Sequence, residues 1–155
     1  MKVLIVFNHP APYKVNLFNL LAKEVELDVI FERKSASDRP KDFYKGNKYD
    51  FNVIFLKHGA FGRENSNTNE LKRYLKKHHG NYDLIIMNGY STISEIKAIH
   101  YLTKNNIRFG LYVNGATIRK EGSLKRKLKK YLISSADYYF SPSSEANEAL
   151  IFYGA

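Results

Sequence analysis

Short apolar runs alternate with longer amphipathic segments along the whole chain. Continuous apolar runs at 3–7, 84–87 and 109–113 are of strand length. Because they show no polar alternation, they predict strands that are covered on both faces, as in a parallel sheet. Three more candidate strands lie at 27–31, 53–56 and 138–140. The pattern therefore predicts a buried sheet rather than one with a face open to water.

Between these runs, apolar residues recur every three or four positions, which predicts helices. The predicted helices cover 14–24, 71–78, 96–102 and 124–132, and a last one begins near Ser143 or Ser144. Asn67 with Glu70, and Thr92 with Glu95, form capping-box patterns that mark two helix starts. Gly154 is suited to end the last helix.

The alternation of strands and helices predicts an α/β fold. Right-handed crossovers then give a Rossmann-like, three-layer α/β/α arrangement with a mostly parallel sheet of about six strands. If the strands lie in the order 3-2-1-4-5-6, ligands bind at the carboxyl ends of the first and fourth strands, where the order reverses. Residues 32–49 are polar and include Pro40 and Gly46, so they predict a long loop or a short irregular helix.

Composition narrows the class of protein. The chain has 155 residues, enough for one domain with a real core, and its 44% apolar and 26% charged residues are typical of a globular protein. The absence of cysteine excludes disulfides, cysteine-zinc sites and thiol nucleophiles, and it fits a reducing cytoplasm. No apolar run approaches the roughly 18 residues of a spanning helix, which predicts a soluble or peripheral protein.

The net charge of +10 is concentrated in one segment. Seven basic side chains lie within twelve residues: Arg119, Lys120, Lys125, Arg126, Lys127, Lys129 and Lys130. We expect them on the exposed face of a helix that Leu124, Leu128, Tyr131 and Leu132 anchor to the sheet. Such a helix suits an anionic membrane surface, although a merely solvated basic face remains the alternative. No recognition-helix motif or aromatic RNA-binding signature is present, which disfavours nucleic acid.

The loop at residues 8–13 has no glycine. A dinucleotide fold needs glycines at this turn so that the pyrophosphate can approach the backbone, so a nicotinamide or flavin site is excluded here. A phosphate-binding P-loop motif is absent from the whole chain as well. His9 and Tyr13 could reach a ligand from this loop, whereas the alternative is that its prolines only turn the chain into the helix.

The loops after the fourth and fifth strands carry uncharged polar groups. Gly89 allows a tight turn after Asn88, and Asn114 and Thr117 are suited to bonding hydroxyl groups. Glu121 is the single carboxylate of the three loops, and we expect it to pair with Arg119 or Lys120 rather than act as a base. No paired carboxylates, catalytic triad or metal-ligand spacing is present, so the sequence predicts no metal and no cofactor.

Several segments together resemble one enzyme family. These are residues 1–7 with 10–13 and 17–21, then 114–118, the basic helix, 135–143 and 153–154. In these segments the chain resembles the N-terminal domain of GT-B glycosyltransferases, specifically the retaining family 4 type of bacterial capsule and exopolysaccharide synthesis. The resemblance covers essentially the whole chain.

The resemblance implies a division of labour between two domains. Residues 1–155 would be the N-terminal, acceptor-binding domain, and the acceptor would be a saccharide on a polyprenyl-diphosphate lipid. The nucleotide-sugar donor would bind only to a C-terminal domain that is expected beyond Ala155, so this chain alone is expected to be inactive. Relatives carry a histidine on the catalytic face. Here Asn114 follows the fifth strand, so the catalytic residue is unassigned unless His9 fills that role.

The function expected from the resemblance is transfer of a hexosyl group from a nucleotide-sugar to a lipid-linked saccharide, at the cytoplasmic face of the cell membrane. The residues expected to bind the acceptor are His9, Pro12, Tyr13, Asn88, Gly89, Asn114, Gly115 and Thr117. The alternative is a basic binding module for anionic lipid or nucleic acid that catalyses no reaction.

Overall fold

The computed structural model of the protein describes residues 1–36, 38–56 and 69–155. Six parallel strands form one sheet in the order β3-β2-β1-β4-β5-β6. The predicted α/β Rossmann-like fold and its strand order are therefore confirmed. The strands are β1 (Lys2–Phe7), β2 (Glu26–Phe31), β3 (Asn52–Phe55), β4 (Leu84–Asn88), β5 (Gly110–Tyr112) and β6 (Tyr138–Phe140).

Five α-helices connect or follow the strands. They are α1 (Pro12–Leu21), α2 (Glu70–His78), α3 (Ile93–Lys104), α4 (Ser123–Ser134) and α5 (Ser144–Tyr153). Short 3-10 helices lie at Lys41–Tyr44 and His79–Asn81, the first within the segment predicted as a loop or irregular helix. Asn67, predicted to cap α2, lies outside the described residues, and α2 begins at Glu70.

The two faces of the sheet are covered unequally. Alternate strand residues such as Leu4, Ile85 and Leu111 face a large core that buries side chains of α2, α3, α4 and α5. The other residues, such as Ile5 and Val29, face a smaller, aromatic-rich core that receives only α1 and the segment leading into β3. Among the described residues, α1 is the only α-helix on this second face, and it leaves part of β4 and β5 uncovered.

Two helices begin where the sequence predicted, each at a polar side chain that caps the helix. The Thr92 hydroxyl accepts a hydrogen bond from the Glu95 backbone N–H, and the Glu95 carboxylate accepts one from the Thr92 backbone N–H, which completes the predicted capping box. Ser143 caps α5 in the same way, through the Ala146 N–H. At the other end of α5, Gly154 adopts the left-handed conformation with φ of 105°.

The orientation of α4 differs from the expectation. Of the four expected anchors, Leu132 is buried, together with the neighbouring Ile133. Leu124 is 81% exposed and Leu128 is exposed as well, so these two do not anchor the helix. Tyr131 is 39% exposed, and its hydroxyl lies 2.8 Å from Nδ1 of His100 in α3. Leu124 and Leu128 lie to one side of the buried pair on the helix, towards solvent.

Candidate functional site

A cleft of about 400 Å³ opens at the carboxyl ends of β1, β4 and β5. This is the point where the strand order reverses, and parallel α/β sheets bind their ligands there. Residues 7–9, 88–91 and 112–117 line the cleft, together with Tyr13, Arg119, Glu121, Lys125 and Lys129. The three loops predicted to form the site therefore meet in space.

The residues expected to bind an acceptor lie around this cleft, with one exception. His9, Tyr13, Asn88, Gly89, Asn114, Gly115 and Thr117 all line it. Pro12 does not, because it occupies the first turn of α1, where a missing N–H costs no hydrogen bond. In the structure Pro12 begins helix α1 and does not contact the cleft.

Several neutral polar residues line the cleft. Among them are Asn8, Asn88, Asn114 and Thr117, whose side chains carry amides and a hydroxyl. Gly89 lies at φ of 87°, a left-handed conformation that a larger residue adopts only with strain. Amides and hydroxyls can donate hydrogen bonds to ligand hydroxyls and accept hydrogen bonds from them, so they can bind an uncharged ligand.

Glu121 and Lys129 form an ion pair at the rim of the cleft. The expectation that Glu121 pairs with Arg119 or Lys120, and that Lys129 is exposed on the outer face of α4, is wrong. The hydrogen bond from Lys129 lowers the pKa of the Glu121 carboxyl group. Burial is the largest single influence on Lys129 and would lower its pKa, but the bond to Glu121 and the charge interactions with Tyr90, Tyr153 and Glu121 together raise that pKa.

The two oxygens of Glu121 have different neighbours. Lys129 donates to Oε1, whereas Oε2 is fully buried. The Tyr153 hydroxyl, which is buried as well, interacts with the same carboxylate and helps to lower its pKa. Glu121 is therefore held ionised by Lys129 and Tyr153, and these protein groups enclose its carboxylate.

His9 is held by Tyr44 on the far side of the cleft. The Tyr44 Oη lies 3.2 Å from His9 Nδ1, and the two rings meet edge to face. The same Tyr44 hydroxyl accepts a hydrogen bond from the Ala36 backbone N–H. The long segment between β2 and β3 therefore positions the histidine, a contact that the sequence spacing did not indicate.

Lys14 is a buried cation that the sequence analysis missed. Its side chain is 94% buried, since the residue is only 6% exposed, and it lies at the third position of α1. Nζ donates to Tyr112 Oη at 2.6 Å and lies 5.7 Å from the Phe7 ring centroid and 5.5 Å from that of Tyr13. None of the ion pairs among the described residues includes it.

An apolar groove of about 510 Å³ continues from the cleft across the half-covered face of the sheet. Its walls are α1, through Leu17 and Leu21, and the strand residues Ile5, Leu84 and Ile86. Phe7, Asn88 and Tyr112 line both the cleft and the groove, and Lys14 lies in the groove wall beside Tyr112. The two spaces are thus joined at one point.

Two buried glutamates lie behind the cleft wall. Glu32, directly after β2, and Glu95 in α3 are each 1% exposed, and the Thr92 hydroxyl donates to Glu32 Oε1 at 3.0 Å. Burial, followed by the charge of Glu95, raises the pKa of Glu32 to about 8. Burial also raises the pKa of Glu95, against the hydrogen bonds that it accepts from Thr92 and Ser91.

The basic segment is divided between the cleft and solvent. Arg119, Lys125 and Lys129 line the cleft, and the Arg119 Nε donates to the Thr117 hydroxyl at 3.0 Å. The remaining basic side chains, Lys120, Arg126, Lys127 and Lys130, are exposed outside it. Arg126 lies over the ring of Phe152 in α5, with its guanidinium carbon 4.8 Å from the ring centroid.

Neither a membrane-spanning helix nor a metal-binding cluster occurs among the described residues. No helix in 1–36, 38–56 and 69–155 is both long and apolar enough to cross a bilayer. Within the same ranges, no group of three or more histidine or acidic side chains is placed to hold a metal ion.

Comparison with solved structures shows the fold. The chain superposes on a crystal structure of UDP-N-acetylglucosamine 2-epimerase with a TM-score of 0.59 and 16% identity, over 100% of this chain and 45% of that one. It superposes on the Neisseria meningitidis UDP-GlcNAc 2-epimerase bound to UDP-GlcNAc with a TM-score of 0.57 and 17% identity, over 98% and 43% of the two chains. The corresponding values for S. aureus MnaA with UDP are 0.57 and 13%, over 99% and 41%.

The chain therefore has the Rossmann-like fold of part of these enzymes and spans less than half of their length. No protein-family model matches the sequence, and no curated protein sequence matches it significantly. The resemblance to family 4 glycosyltransferases consequently stays a prediction.

Proposed function

We propose that the chain is the acceptor-binding half of a glycosyltransferase that moves a hexosyl group from a nucleotide-sugar to a lipid-linked saccharide. The observation that carries the proposal is the chemistry of the cleft. Neutral polar residues, among them Asn88, Asn114 and Thr117, line it beside the ionised Glu121 and its partner Lys129. Sugars present many hydroxyl donors and no charge, and such a wall matches them.

The size of the cleft agrees with a saccharide. Its volume of about 400 Å³ lies in the lower part of the roughly 300–1,000 Å³ range of small-molecule pockets. Tyr13 is 65% exposed at the rim, where an aromatic face can pack against a sugar ring. Asn114 and Thr117 would bond hydroxyls of the ring.

The donor site belongs, in this proposal, to a second domain. The loop after β1 holds no glycine cradle for phosphates. The structurally similar epimerases, two of which were solved with UDP-GlcNAc or UDP, are more than twice as long as the matched region. We therefore expect a nucleotide-sugar to bind to a region equivalent to the part of these epimerases that does not align with residues 1–155.

Titration calorimetry and saturation-transfer NMR on the 155-residue chain test the proposal. We expect weak binding of short oligosaccharides, and no binding of UDP-sugars in the micromolar range. Glu121→Gln should weaken saccharide binding several-fold, because it removes the charge of the ion pair that holds Lys129 at the cleft. The control is Glu24→Gln, an exposed change on the chain outside the cleft. Micromolar binding of a UDP-sugar would contradict the division of labour.

A basic binding module without catalysis is the second candidate. The exposed Leu124, Leu128 and Tyr131 stripe beside Lys127 and Lys130 favours an anionic membrane surface over a solvated helix. In the transferase proposal, the same surface brings the cleft to the bilayer that presents the acceptor. The two candidates differ in one result, because a module without transfer would bind anionic vesicles and no saccharide.

A further inference from the structure

One side of the cleft carries an excess of positive charge. Arg119, Lys125 and Lys129 line it, and Glu121 is the only carboxylate among the described residues that do so. Glu121 forms its ion pair with Lys129, so these two charges offset each other. The guanidinium group of Arg119 and the ammonium group of Lys125 remain as two cations beside the neutral polar residues of the cleft. A ligand in the cleft therefore lies next to a net positive charge.

Arg119 presents an unused edge of its guanidinium group. Its Nε donates a hydrogen bond to the Thr117 hydroxyl at 3.0 Å, and both residues line the cleft. Within residues 1–36, 38–56 and 69–155, no acceptor or carboxylate pairs with its two terminal nitrogens. Two such N–H groups form a planar fork that matches the two oxygens of a carboxylate. The contact with Thr117 thus leaves a carboxylate-binding edge of Arg119 beside the cleft.

Lys125 is the second cation without a hydrogen bond or ion pair. It lies in the first turn of α4, four residues before Lys129, and residues at that spacing share one side of a helix. Its charge helps to lower the pKa of the Glu121 carboxyl group, so the two side chains are close, but the ion pair of Glu121 goes to Lys129. In the described part of the chain, no carboxylate pairs with the Lys125 ammonium. This group is therefore available to an anion of a ligand.

Saccharide hydroxyls and an anionic group can bind side by side in this cleft. Asn114 and Thr117 suit hydroxyls, and Thr117 itself bonds Arg119, so the hydroxyl-binding and cationic residues are adjacent. A volume of about 400 Å³ accommodates the few atoms that would separate the two kinds of group on one sugar. A carboxylate attached to the sugar ring satisfies both sets of residues, whereas a neutral sugar leaves both cations unpaired.

We infer that Arg119 and Lys125 form a carboxylate-binding subsite of the cleft, and that the saccharide bound there contains a uronic acid. The inference rests on the proposed function, because it specifies which class of saccharide the cleft would take. It also separates these two cations from the basic residues outside the cleft, such as Lys120 and Lys127, for which a membrane surface is the expected partner.

Pairs of methyl glycosides that differ only at carbon 6 test the subsite. Methyl glucuronide and methyl galacturonide carry a carboxylate where methyl glucoside and methyl galactoside carry a hydroxymethyl group. NMR titration measures their binding to the 155-residue chain, with glucose 6-phosphate and inorganic pyrophosphate in parallel. We expect at least one uronide to bind about fivefold more tightly than its neutral partner, and this preference to shrink at high salt, because salt screens charge pairs at an accessible site.

Variants that each lose one charge separate the subsite from the net charge of the chain. Arg119→Gln and Lys125→Gln should each lower uronide binding several-fold and bring it close to that of the neutral glycoside. Lys120→Gln and Lys127→Gln remove the same single charge at exposed positions outside the cleft, and the preference should stay. Arg119→Lys keeps the charge without the fork and should retain part of the preference. All four positions are exposed, and circular dichroism checks the fold of each variant.

Three results would overturn the subsite. These are equal binding of uronides and neutral glycosides, equal effects of Arg119→Gln and Lys120→Gln, and binding of glucose 6-phosphate or pyrophosphate that is tighter than that of either uronide and is lost in Arg119→Gln. If neutral glycosides bind and uronides bind no better, the subsite fails while the proposed function stands. If uronides bind as expected but a UDP-sugar also binds in the micromolar range, the proposed function fails while the subsite stands.

Discussion

Glu32 is a carboxyl group whose ionisation opposes folding. Its burial and the neighbouring Glu95 raise its pKa from the ordinary value of 4.5 to about 8. The folded chain therefore holds a proton that the unfolded chain releases between these two pH values. Stability follows the difference in bound protons, so this contribution is fully present below about pH 4.5 and is lost as the pH rises towards about 8.

Glu32→Gln should remove that pH dependence. A neutral amide can still accept from the Thr92 hydroxyl, and it loses no free energy when the pH rises. We expect the wild-type free energy of unfolding to fall between about pH 5 and about pH 8, by at most about 1.4 kcal/mol per pH unit, and the Gln variant to show a flatter profile. Urea unfolding at several pH values measures this. Equal slopes for Glu32→Gln and wild type would show that Glu32 does not cause the effect.

Asn114 and Tyr13 test the cleft at the same scale. Both side chains are exposed and line the cleft, so removal should cost little stability, about 0.5 kcal/mol or less. We expect Asn114→Ala and Tyr13→Ala to lower saccharide binding by the 155-residue chain, and turnover by the complete enzyme, several-fold each. Asn16→Ala, an exposed change on α1 outside the cleft, is the control. Loss of the fold in both variants would make the two positions structural instead.

The residues of the cleft differ in how far sequence could predict them. Asn88 and Asn114 follow apolar strands directly, so strand alternation alone places them at the carboxyl edge. The Glu121–Lys129 pair was missed because sequence proximity favoured Arg119 and Lys120, whereas α4 starts at Ser123 and turns Lys129 back towards Glu121. Such a contact depends on where a helix begins and on which side it packs.

Lys14 shows a second reason for missed residues. Its neighbours Phe7 and Tyr112 come from two different strands, and the latter is 98 residues away. A lysine near a helix start looks like a solvent-exposed residue in the sequence. Only the packing of α1 against β1 and β5 makes it a buried cation.

At the scale of an element, Thr92 at the start of α3 both caps the helix and bonds a residue of another element. Thr92 Oγ1 accepts from the Glu95 N–H and donates to buried Glu32, so one hydroxyl serves two elements. Thr92→Ala should cost about 2 kcal/mol, and Ser143→Ala at the start of α5 about 1 kcal/mol, since Ser143 acts as a cap alone. Thr92→Ser keeps the hydroxyl and should recover most of the loss in urea unfolding. Equal costs at the two caps would exclude the link to Glu32.

The orientation of α4 could not be read from its periodicity. The stripe Leu124, Leu128 and Tyr131 has helical spacing, but so has the set around Leu132 and Ile133 that actually packs on the sheet. Periodicity identifies an apolar stripe and does not say what covers it. An exposed stripe flanked by lysines is the pattern of a helix that lies on a membrane surface.

Vesicle co-sedimentation tests α4 as such an element. We expect the chain to bind anionic vesicles, bind neutral ones little, and dissociate at high salt, since each basic residue near the surface contributes about 1 kcal/mol. Leu124→Asp should reduce binding at least several-fold. Leu20→Asp changes another exposed leucine, on α1, the helix of the opposite sheet face, and should not reduce binding. Equal binding to both kinds of vesicle, or to neither, would remove the docking role.

At the scale of the whole molecule, the sequence predicted the order of the strands, but it did not predict which face of the sheet each helix covers. Continuous apolar strands joined by helices leave few arrangements once crossovers are right-handed, and the order β3-β2-β1-β4-β5-β6 follows. Periodicity did not reveal that four helices lie on one face and one on the other, because each helix shows the same apolar stripe whichever side it covers. The groove is the result of that uneven distribution.

The central place of β1 has a consequence for the chain while it is being synthesised. Phe7 ends the first strand, whose one edge pairs with β2 at Glu26–Phe31 and whose other edge pairs with β4 at Leu84–Asn88. At about 5–20 residues per second, the roughly 57 residues between the end of β2 and the end of β4 separate the synthesis of the two partners by about 3–11 s. During that interval the nascent sheet offers an open, highly apolar edge, which is the kind of surface that aggregates. A ribosome-bound chain of this protein is therefore a substrate for chaperones until its fourth strand emerges.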